Sequence, residues 1–187
     1  VLLHLIAQVD STVPVLFLDT GKHFPETLAY RDELTERLGL NRVDLYPEIA
    51  DLQTRDDTGL RWSYDPDGCC ELRKVKPLEK ALANFDASFT GRKAFQSATR
   101  ANLPRFEVDS VDVQGRLKIN PLIDWSAEDI AAYFETHALP RHPLVDRGFP
   151  SIGCSPCTRQ VGEGEDPRAG RWSGWDKVEC GIHQPGE

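Results

Sequence analysis

Four cysteines in two clusters are the residues of this sequence best suited to chemistry. Cys69 and Cys70 are adjacent, and Cys154 and Cys157 have C-x-x-C spacing in the run PSIGCSPCTR. Two intervening residues close a tight loop, so both thiolates of such a pair can bind one centre. Four soft ligands therefore predict zinc or an iron–sulfur cluster, and disulfides are the simpler alternative.

The fifth cysteine, Cys180, lies in the run ECGIH. Five cysteines cannot all pair within one chain, so this residue needs an explanation of its own. Lys177 and His183 are close to it in the sequence, and nearby positive charge favours the reactive thiolate form. A reactive thiolate is one interpretation of Cys180, and an ordinary free thiol near a chain terminus is the other.

Basic residues recur in the same parts of the sequence. Arg73 and Lys74 lie within four positions of the CC pair. The turn that holds a metal could therefore also place one of these cations beside a bound sulfate. Guanidinium groups suit bidentate contacts to sulfate or phosphate. For any single basic residue, a solvated surface charge is the usual alternative. The other members of this predicted anion-binding set are Gly91, Arg92 and Arg100 after a predicted strand, and Arg168 and Arg171 in DPRAGRW.

Alternating strands and helices position these residues. The apolar run from Val13 to Leu18 lacks polar alternation, which is typical of a parallel strand covered on both faces. A helix from about Pro25 to Gly39 and a strand from Arg42 to Tyr46 follow it. This β-α-β order predicts an α/β fold with a doubly wound, mostly parallel sheet.

After residue 46 the sequence no longer shows a regular alternation of strands and helices. Residues 47–68 read as loop with short helical pieces, and a helix from Cys69 to Ala83 contains Pro77, which predicts a kink or break. The remaining predictions are a strand over 86–90, a hairpin of 106–113 with 117–119 turning at Gln114 and Gly115, a helix over 126–137 capped by Ser126 with Asp129 in its first turn, and an irregular C-terminal tail.

Composition limits the possible function classes. The 187 residues are 40% hydrophobic and 28% charged, which is ordinary for a globular α/β domain. A net charge of −8 argues against nonspecific nucleic-acid binding, and an anionic small substrate stays possible where basic side chains gather. No apolar run approaches a membrane span and no signal peptide is visible, so we expect no membrane partner and a cytoplasmic location. A chain that begins at Val1 and contains no Met is expected to be a portion of a longer protein.

The sequence resembles the assimilatory adenylyl-sulfate reductases of the APS/PAPS reductase family, whose substrates are adenosine 5′-phosphosulfate (APS) and its 3′-phosphorylated form (PAPS). The resemblance covers nearly the whole chain in order. Its motifs are LDTGKHFPET, CCELRKVKPLEKAL, TGRKAFQSATR, KINPLIDW, HPLVDRGFPSIGCSPCTR and GRWSGWDKVECGIH. It implies an adenine nucleotide α-hydrolase-like fold, with a nucleotide-binding domain over 1–160 and a flexible catalytic segment over 161–187. The family's first strand and its Ser-Gly-rich phosphate loop are expected upstream of Val1.

The resemblance also implies roles for individual residues. The two cysteine pairs would hold a [4Fe–4S] cluster, a choice that spacing alone leaves open. Cys180 would attack the sulfur of APS and form an S-sulfocysteine, with His183 beside it, and thioredoxin or glutathione with glutaredoxin would then release sulfite. The segment LDTGKHFPET would recognise adenosine through Leu18, Thr20 and Gly21. Family members are commonly homo-oligomers and act in sulfate assimilation for cysteine biosynthesis.

Three other functions compete with APS reduction. A reductase that takes PAPS, or both substrates, is the nearest alternative within the family. A tRNA-thiolating enzyme also combines cysteines with a nucleotide site, although the ECGIH run argues against it. A zinc-stabilised binding module, in which Cys180 has no role, is the alternative that involves no enzyme.

Overall fold

The structure is a computed structural model that describes residues 1–96, 100–108, 115–177 and 179–182. Contacts among these residues divide the chain into two compact units. We call the first the cysteine unit, formed by Pro14–Ala81 and the described residues from His142 onward. The second is the Arg92 unit, formed by Val1–Val13 and Leu82–Arg141.

The cysteine unit begins with a parallel β-α-β arrangement. Strand β1 (Pro14–Leu18) pairs in parallel with strand β2 (Asn41–Leu45), and helix α2 (Pro25–Leu38) connects them. Helix α2 ends at Gly39, whose φ of 60° lies in the left-handed region that a residue without a Cβ adopts at least cost. The predicted strand–helix–strand unit is thus confirmed, with β2 one residue earlier than expected.

A helical run with an irregular middle carries the CC pair. Helix α4 (Pro66–Cys70) passes into a π-helical turn (Glu71–Val75) and then into helix α5 (Lys76–Leu82). Pro77 has no N–H and its ring crowds the carbonyl four residues back, so the wider turn lies where the regular ladder is interrupted. The predicted interruption near Pro77 is confirmed, but the helix begins at Pro66 rather than at Cys69.

Short elements complete the cysteine unit. Helix α3 (Ile49–Arg55) lies in the region predicted as loop with helical pieces. After Cys157 the described residues form turns and one isolated antiparallel bridge, between Thr158 and Arg171, so the irregular C-terminal segment is confirmed. The 3₁₀ turns of this unit are Arg61–Ser63, Val145–Arg147 and Ser155–Cys157.

The Arg92 unit contains a mixed three-stranded sheet. Its strands are β3 (Ala87–Phe89), β4 (Phe106–Val108) and β5 (Leu117–Ile119) in the order β3-β5-β4, with β3 parallel and β4 antiparallel to β5. The predicted antiparallel pairing is confirmed for residues 106–108 with 117–119, and residues 109–114 of the predicted hairpin lie outside the described residues. The described part of the unit also contains helix α1 (Leu2–Val9), helix α6 (Ala127–Thr136) and the 3₁₀ turn Ala94–Gln96.

Helix α6 begins where its sequence predicts. The Ser126 hydroxyl accepts a hydrogen bond from the Asp129 backbone N–H at 3.0 Å, and the Asp129 carboxylate accepts one from the Ser126 N–H at 2.8 Å. Two of the unpaired N–H groups at the helix start are satisfied in this way. None of the described helices is both long and apolar enough to cross a membrane.

Candidate active site

A cavity of the cysteine unit is lined by all four predicted metal ligands. Cys69 and Cys70 come from the end of α4, and Cys154 and Cys157 come from the 3₁₀ turn and the residue before it. Three of the four are buried, with 6–8% of their surface exposed, and Cys157 is partly exposed. All five cysteines have free thiols. The remaining lining residues are Lys22, Trp62, Pro66, Arg73, Lys74, Arg171 and Trp172.

Main-chain hydrogen bonds fix the C-x-x-C turn against two other segments. The Ser155 N–H donates to the Lys22 carbonyl at 2.8 Å, which ties the turn to the loop after β1. The Trp172 N–H donates to the Cys157 carbonyl at 3.0 Å. Trp172 is 3% exposed, so the GRW segment forms a buried wall of the cavity.

Arg73 and Lys74 have different surroundings although they are adjacent. Arg73 is buried and donates to the Asp56 carboxylate at 2.6 and 3.0 Å and to the Thr20 carbonyl at 2.8 Å. It therefore joins the π-helical turn to the end of β1, and Asp56 balances its charge. Lys74 is paired with no carboxylate among the described residues. Negative charge at Cys154, Cys70 and Cys180 acts on it instead.

The two predicted arginines of the C-terminal segment both lie in the cysteine unit. The Arg171 guanidinium lies on the backbone of Gly153, where a Cβ would come within 2.4 Å of it, so a larger residue before Cys154 would displace the guanidinium. It also stacks over Trp172, 4.4 Å from the ring centre, and its buried Nε has no hydrogen-bond partner. Arg168 forms an ion pair with Glu179 at 3.5 Å.

Cys180 shares the electrostatic environment of the cavity. Its charge acts on Cys70, Lys74 and Arg171 alike. The next residue, Gly181, has a φ of 88°, and a Cβ added there would lie 3.4 Å from Val75 in the π-helical turn. The described end of the chain therefore lies against the segment that carries the CC pair. His183, the other predicted catalytic residue, lies outside the described residues.

Burial and local charge shift the pKa values of this site. Burial raises the pKa of Cys70 to about 11, against the lowering effect of Lys74 and Lys177. Burial also raises the pKa of Cys69 and that of Cys157. Burial alone would lower the pKa of Lys74, but the neighbouring thiolates outweigh it and the net shift is upward. Ionisation of a neighbouring thiol and retention of the proton on Lys74 therefore favour each other at this site.

The donor set fits a soft metal group. Thiolates are the ligands that zinc and iron–sulfur clusters prefer, and binding would have to displace the protons of these buried thiols. As the described side chains stand, no three His, Cys, Asp or Glu residues are arranged around a position for a single metal ion. The fit therefore rests on the chemistry of four thiols around one cavity.

The end of β1 meets the cysteine cavity. Thr20 is fully buried and its hydroxyl lies 3.3 Å from the Cys154 sulfur. The Leu18 carbonyl is 2.8 Å from His23 Nε2, and Gly21 turns the chain at a φ of 68° while its N–H donates to Asp19 at 3.0 Å. Leu18, Thr20 and Gly21 are thus in the same unit as the cysteines, Lys74, Arg168 and Arg171.

Gly91, Arg92 and Arg100 belong to the other unit. Arg92 is 5% exposed and its guanidinium contacts the Glu107 carboxylate, the Asn120 amide oxygen at 3.0 Å and the Thr90 hydroxyl at 3.1 Å. Arg100 donates to Gln96 at 2.9 Å, and Gly91 is exposed. Among these three residues, Arg92 is therefore the one enclosed by the protein's own polar groups.

Sequence reasoning missed three residues of the site. Asp56, which neutralises Arg73, gives no local signal because its partner is 17 residues away. Glu179 likewise gives no local signal, because its ion pair with Arg168 forms only in the folded chain. Trp172 could have been found, since it directly follows the predicted anion ligand Arg171 in the GRW run.

Comparison with known proteins gives consistent results. Residues 1–160 match the sequence profile of a family described as phosphoadenosine phosphosulfate reductase domain. A Mesorhizobium japonicum protein named adenosine 5′-phosphosulfate reductase is 53% identical over 187 residues, which is all of this chain and 72% of that protein. Proteins of the same name from Chelativorans sp. and Streptomyces coelicolor are 50% and 45% identical, and the matches cover 75% and 77% of their lengths.

Solved structures support the same fold. A phosphoadenylyl-sulfate (PAPS) reductase from Candida auris, solved as a phosphate complex, is 28% identical with a TM-score of 0.70. That match covers 85% of this chain and 76% of the other. The FMN adenylyltransferase of Candida glabrata has a TM-score of 0.55 at 16% identity over 98% of this chain and 60% of its own, which concerns the fold alone. The predicted adenine nucleotide α-hydrolase-like fold is confirmed.

Proposed function

Because this chain belongs to the phosphoadenosine phosphosulfate reductase domain family, we propose that it reduces adenosine 5′-phosphosulfate to sulfite and AMP. The chain is an oxidoreductase of that family, and sulfate assimilation for cysteine biosynthesis is the process in which this reaction serves. The three relatives described above carry the name of this activity.

One observation supports the proposal most directly. Cys180 shares its electrostatic environment with Lys74 and Arg171, and both of these cations line the cavity with the four clustered cysteines. A nucleophilic thiolate needs nearby positive charge, and so does a sulfate group that accumulates charge during attack. The same two cations can serve both needs.

The first step is a displacement at sulfur. The Cys180 thiolate attacks the sulfur of the sulfate group, an S–S bond forms, and the bond from that sulfur to the phosphate oxygen breaks. AMP leaves with the electron pair, and the enzyme holds an S-sulfocysteine. Lys74, Arg168 and Arg171 are the proposed contacts to the phosphosulfate, and guanidinium groups suit such bidentate binding.

The second step needs a reductant with two thiols. One thiolate of thioredoxin, or of glutathione with glutaredoxin, attacks the Cys180 sulfur and sulfite leaves. A second thiol then resolves the mixed disulfide and returns Cys180 as a thiol. The reductant is oxidised to its disulfide and the sulfate sulfur is reduced to sulfite. His183 is the proposed aid to thiolate formation.

The four clustered cysteines, Cys69, Cys70, Cys154 and Cys157, would hold a [4Fe–4S] cluster. When bound, the cluster supplies electrostatic and structural support near the sulfate without net redox chemistry. Lys74, which is partly buried and keeps its proton beside the thiolates, balances part of the negative charge of that ligand set. Thr20 lies against the Cys154 sulfur from the β1 side.

The other substrate contacts are proposed from sequence and geometry together. Leu18, Thr20 and Gly21 would recognise adenosine at the carboxyl end of β1, where α/β sheets bind nucleotides. Gly91, Arg92 and Arg100 are proposed as further substrate contacts on their sequence motif alone. We also propose that residues 1–160 form the nucleotide-binding reductase domain and that residues 161–187 form a flexible catalytic segment after it. The protein is proposed to be a cytoplasmic homo-oligomer.

Trapping the intermediate tests this function. Full-length protein incubated with APS and no reductant should gain the mass of one SO₃ group on the peptide containing Cys180. Adding thioredoxin should remove that mass and release sulfite. Cys180→Ser is the matched control, because it keeps the size of the side chain and removes the nucleophile. Sulfite release from APS by the Cys180→Ser protein would rule out the covalent route.

Metal analysis separates the cluster from the zinc alternative. Protein purified without oxygen should contain iron and acid-labile sulfide and show the visible absorption of an iron–sulfur cluster. Replacing Cys69 or Cys154 by Ser should remove most of the iron and lower the yield of folded protein, since both cysteines are ligands of one group. Zinc in place of iron would favour a structural metal site.

PAPS is the second candidate substrate, favoured by the likeness to the Candida auris enzyme named for it. Parallel trapping with APS and PAPS decides between them. We expect adduct formation from APS at lower concentration, and equal efficiency would identify an enzyme that uses both.

A further inference from the structure

Glu179, the residue before the proposed nucleophile, forms an ion pair with Arg168, a proposed substrate-binding side chain. The Glu179 carboxylate lies 3.5 Å from the Arg168 guanidinium, and only 15% and 20% of the two side chains are exposed. An ion pair with so little exposure is screened weakly by water and salt. Arg168 therefore holds an internal anion in this structure, directly beside Cys180.

From this pair we infer that Glu179 competes with the anionic substrate for Arg168. The inference rests on the proposed function, because it requires that a phosphosulfate binds at Arg168. A guanidinium has several donors, so the two anions need not exclude one another by contact alone. The two anions compete because the Glu179 carboxylate and the phosphosulfate repel each other, and this repulsion is strong in a poorly solvated site.

A second ion pair on the same segment provides a contrast. Lys177 pairs with Asp67 at the start of α4, and its ammonium lies 5.5 Å from the centre of the Trp172 ring. Here the carboxylate is largely exposed, at 78%, while the lysine side chain is 7% exposed. Asp67 is a solvated anion on a residue with no proposed substrate contact, so this pair anchors the segment without competing for substrate.

The competition gives Glu179 a specific role in the reaction. Without substrate, its carboxylate satisfies Arg168 and holds Cys180 close to Lys74. When the substrate binds, Arg168 exchanges Glu179 for the phosphosulfate, and the segment loses the ion pair between these two residues. The sulfonated cysteine then lies on a segment held less firmly, as its later attack by a large protein reductant requires.

Equilibrium binding of APS tests this inference. The measurement uses full-length protein with Cys180→Ser, so that substrate is bound but not consumed. Glu179→Gln keeps the shape of the side chain and removes its charge. We expect it to lower the Kd for APS about threefold to fivefold, which is the upper part of the range for a single ion pair. A Kd that stays the same or rises would overturn the inference.

A double-mutant cycle assigns the effect to Arg168. In an Arg168→Met background, Glu179→Gln should change the Kd for APS very little, because the shared partner is gone. A structural role for Glu179 would instead give the same change in both backgrounds. Asp67→Asn is the matched control, since it removes a carboxylate from the other ion pair and should leave the Kd unchanged.

Two further outcomes keep the test decisive. If Glu179→Gln does not fold, Glu179→Ala removes the same charge and must show the same tightening; failure of both to fold would make the pair structural and reject the competition. If the Cys180→Ser parent binds no APS at all, the proposed function fails together with the inference. Binding by the parent with no response to Glu179→Gln rejects the inference alone.

Discussion

The two units of this molecule use buried positive charge in opposite ways. In the Arg92 unit, Arg92 is surrounded by Glu107, Asn120 and Thr90, so the fold itself satisfies the guanidinium. In the cysteine unit, Lys74 and Arg171 are paired with no carboxylate among the described residues: both line the cavity with the cysteines, and the Arg171 guanidinium donates only to the Ser151 hydroxyl and the Ile152 carbonyl, at 3.4 and 3.3 Å. Burying a cation costs free energy unless something compensates it. A cation whose charge is balanced by a carboxylate of its own fold stabilises structure, whereas a cation without such a carboxylate stays available to a ligand.

The same distinction applies between neighbours inside the cysteine unit. Arg73 resembles Arg92, since Asp56 and the Thr20 carbonyl satisfy it. Lys74, the next residue, lines the cavity without such a partner. Both lie in the π-helical turn, where consecutive side chains point in different directions. The turn thus separates a structural cation from a candidate catalytic one.

The largest expected effect is on turnover at Lys74. Lys74→Met keeps the length of the side chain and removes the charge that would stabilise the sulfate during attack. We expect kcat/KM for APS to fall about 100-fold or more, the range for losing one stabilising contact to a developing anion. The yield of folded protein and its iron content should change little.

Lys76→Met is the matched control for that experiment. Lys76 follows Lys74 closely on the same helical run but pairs with Asp51 at 2.9 Å and is 41% exposed. Its removal should leave kcat/KM unchanged. Equal kcat/KM for the two variants would show that Lys74 does not act in the reaction. The distinction between Lys74 and a structurally paired cation such as Arg92 would then be wrong.

A smaller effect, on stability rather than on turnover, is expected at Arg92. Arg92→Met leaves the Glu107 carboxylate and the Asn120 amide without their donor, which should lower the free energy of unfolding by about 2 kcal/mol. Denaturant titration measures this. Arg105→Met is the control, because Arg105 and Asp124 form an exposed pair and should cost about 0.5 kcal/mol or less. Loss of APS binding by Arg92→Met without loss of stability would instead favour its proposed role as a substrate contact.

Local signals explain what the sequence could predict of this fold. The unbroken apolar run of β1, the Gly39 stop and the Ser126 cap each depend on residues within one turn or strand, and each is confirmed. The early start of α4 was also readable, because Asp65 caps the helix through the Gly68 N–H and Pro66 follows it.

The charge partners of the site could not be predicted in the same way. Arg73 and Lys74 look equivalent in sequence, and only the position of Asp56 in the folded chain distinguishes them. The Glu179 partner of Arg168 likewise depends on the path of the C-terminal segment. The motifs therefore indicated that the four cysteines, Lys74 and Arg171 lie together, whereas the charge partners of the cations depend on the folded chain.

The smallest expected effect concerns pH and tests whether Arg73 belongs with Arg92. Burial alone would raise the pKa of Asp56, but hydrogen bonds from Arg73 and the Arg61 backbone bring it below its ordinary value of 3.8. A carboxyl group with a lowered folded-state pKa contributes stability that is complete above its unfolded pKa and is lost as pH falls through the folded one. The free energy of unfolding should therefore decline more steeply below about pH 4 in the wild-type protein than in Asp56→Asn, which has no proton to gain at that position. Asp57→Asn, which removes a neighbouring exposed carboxylate, controls for the change in net charge. Parallel acid limbs for wild type and Asp56→Asn would mean that Asp56 does not hold Arg73 by its charge, and the two adjacent cations of the π-helical turn would then lose the distinction drawn between them.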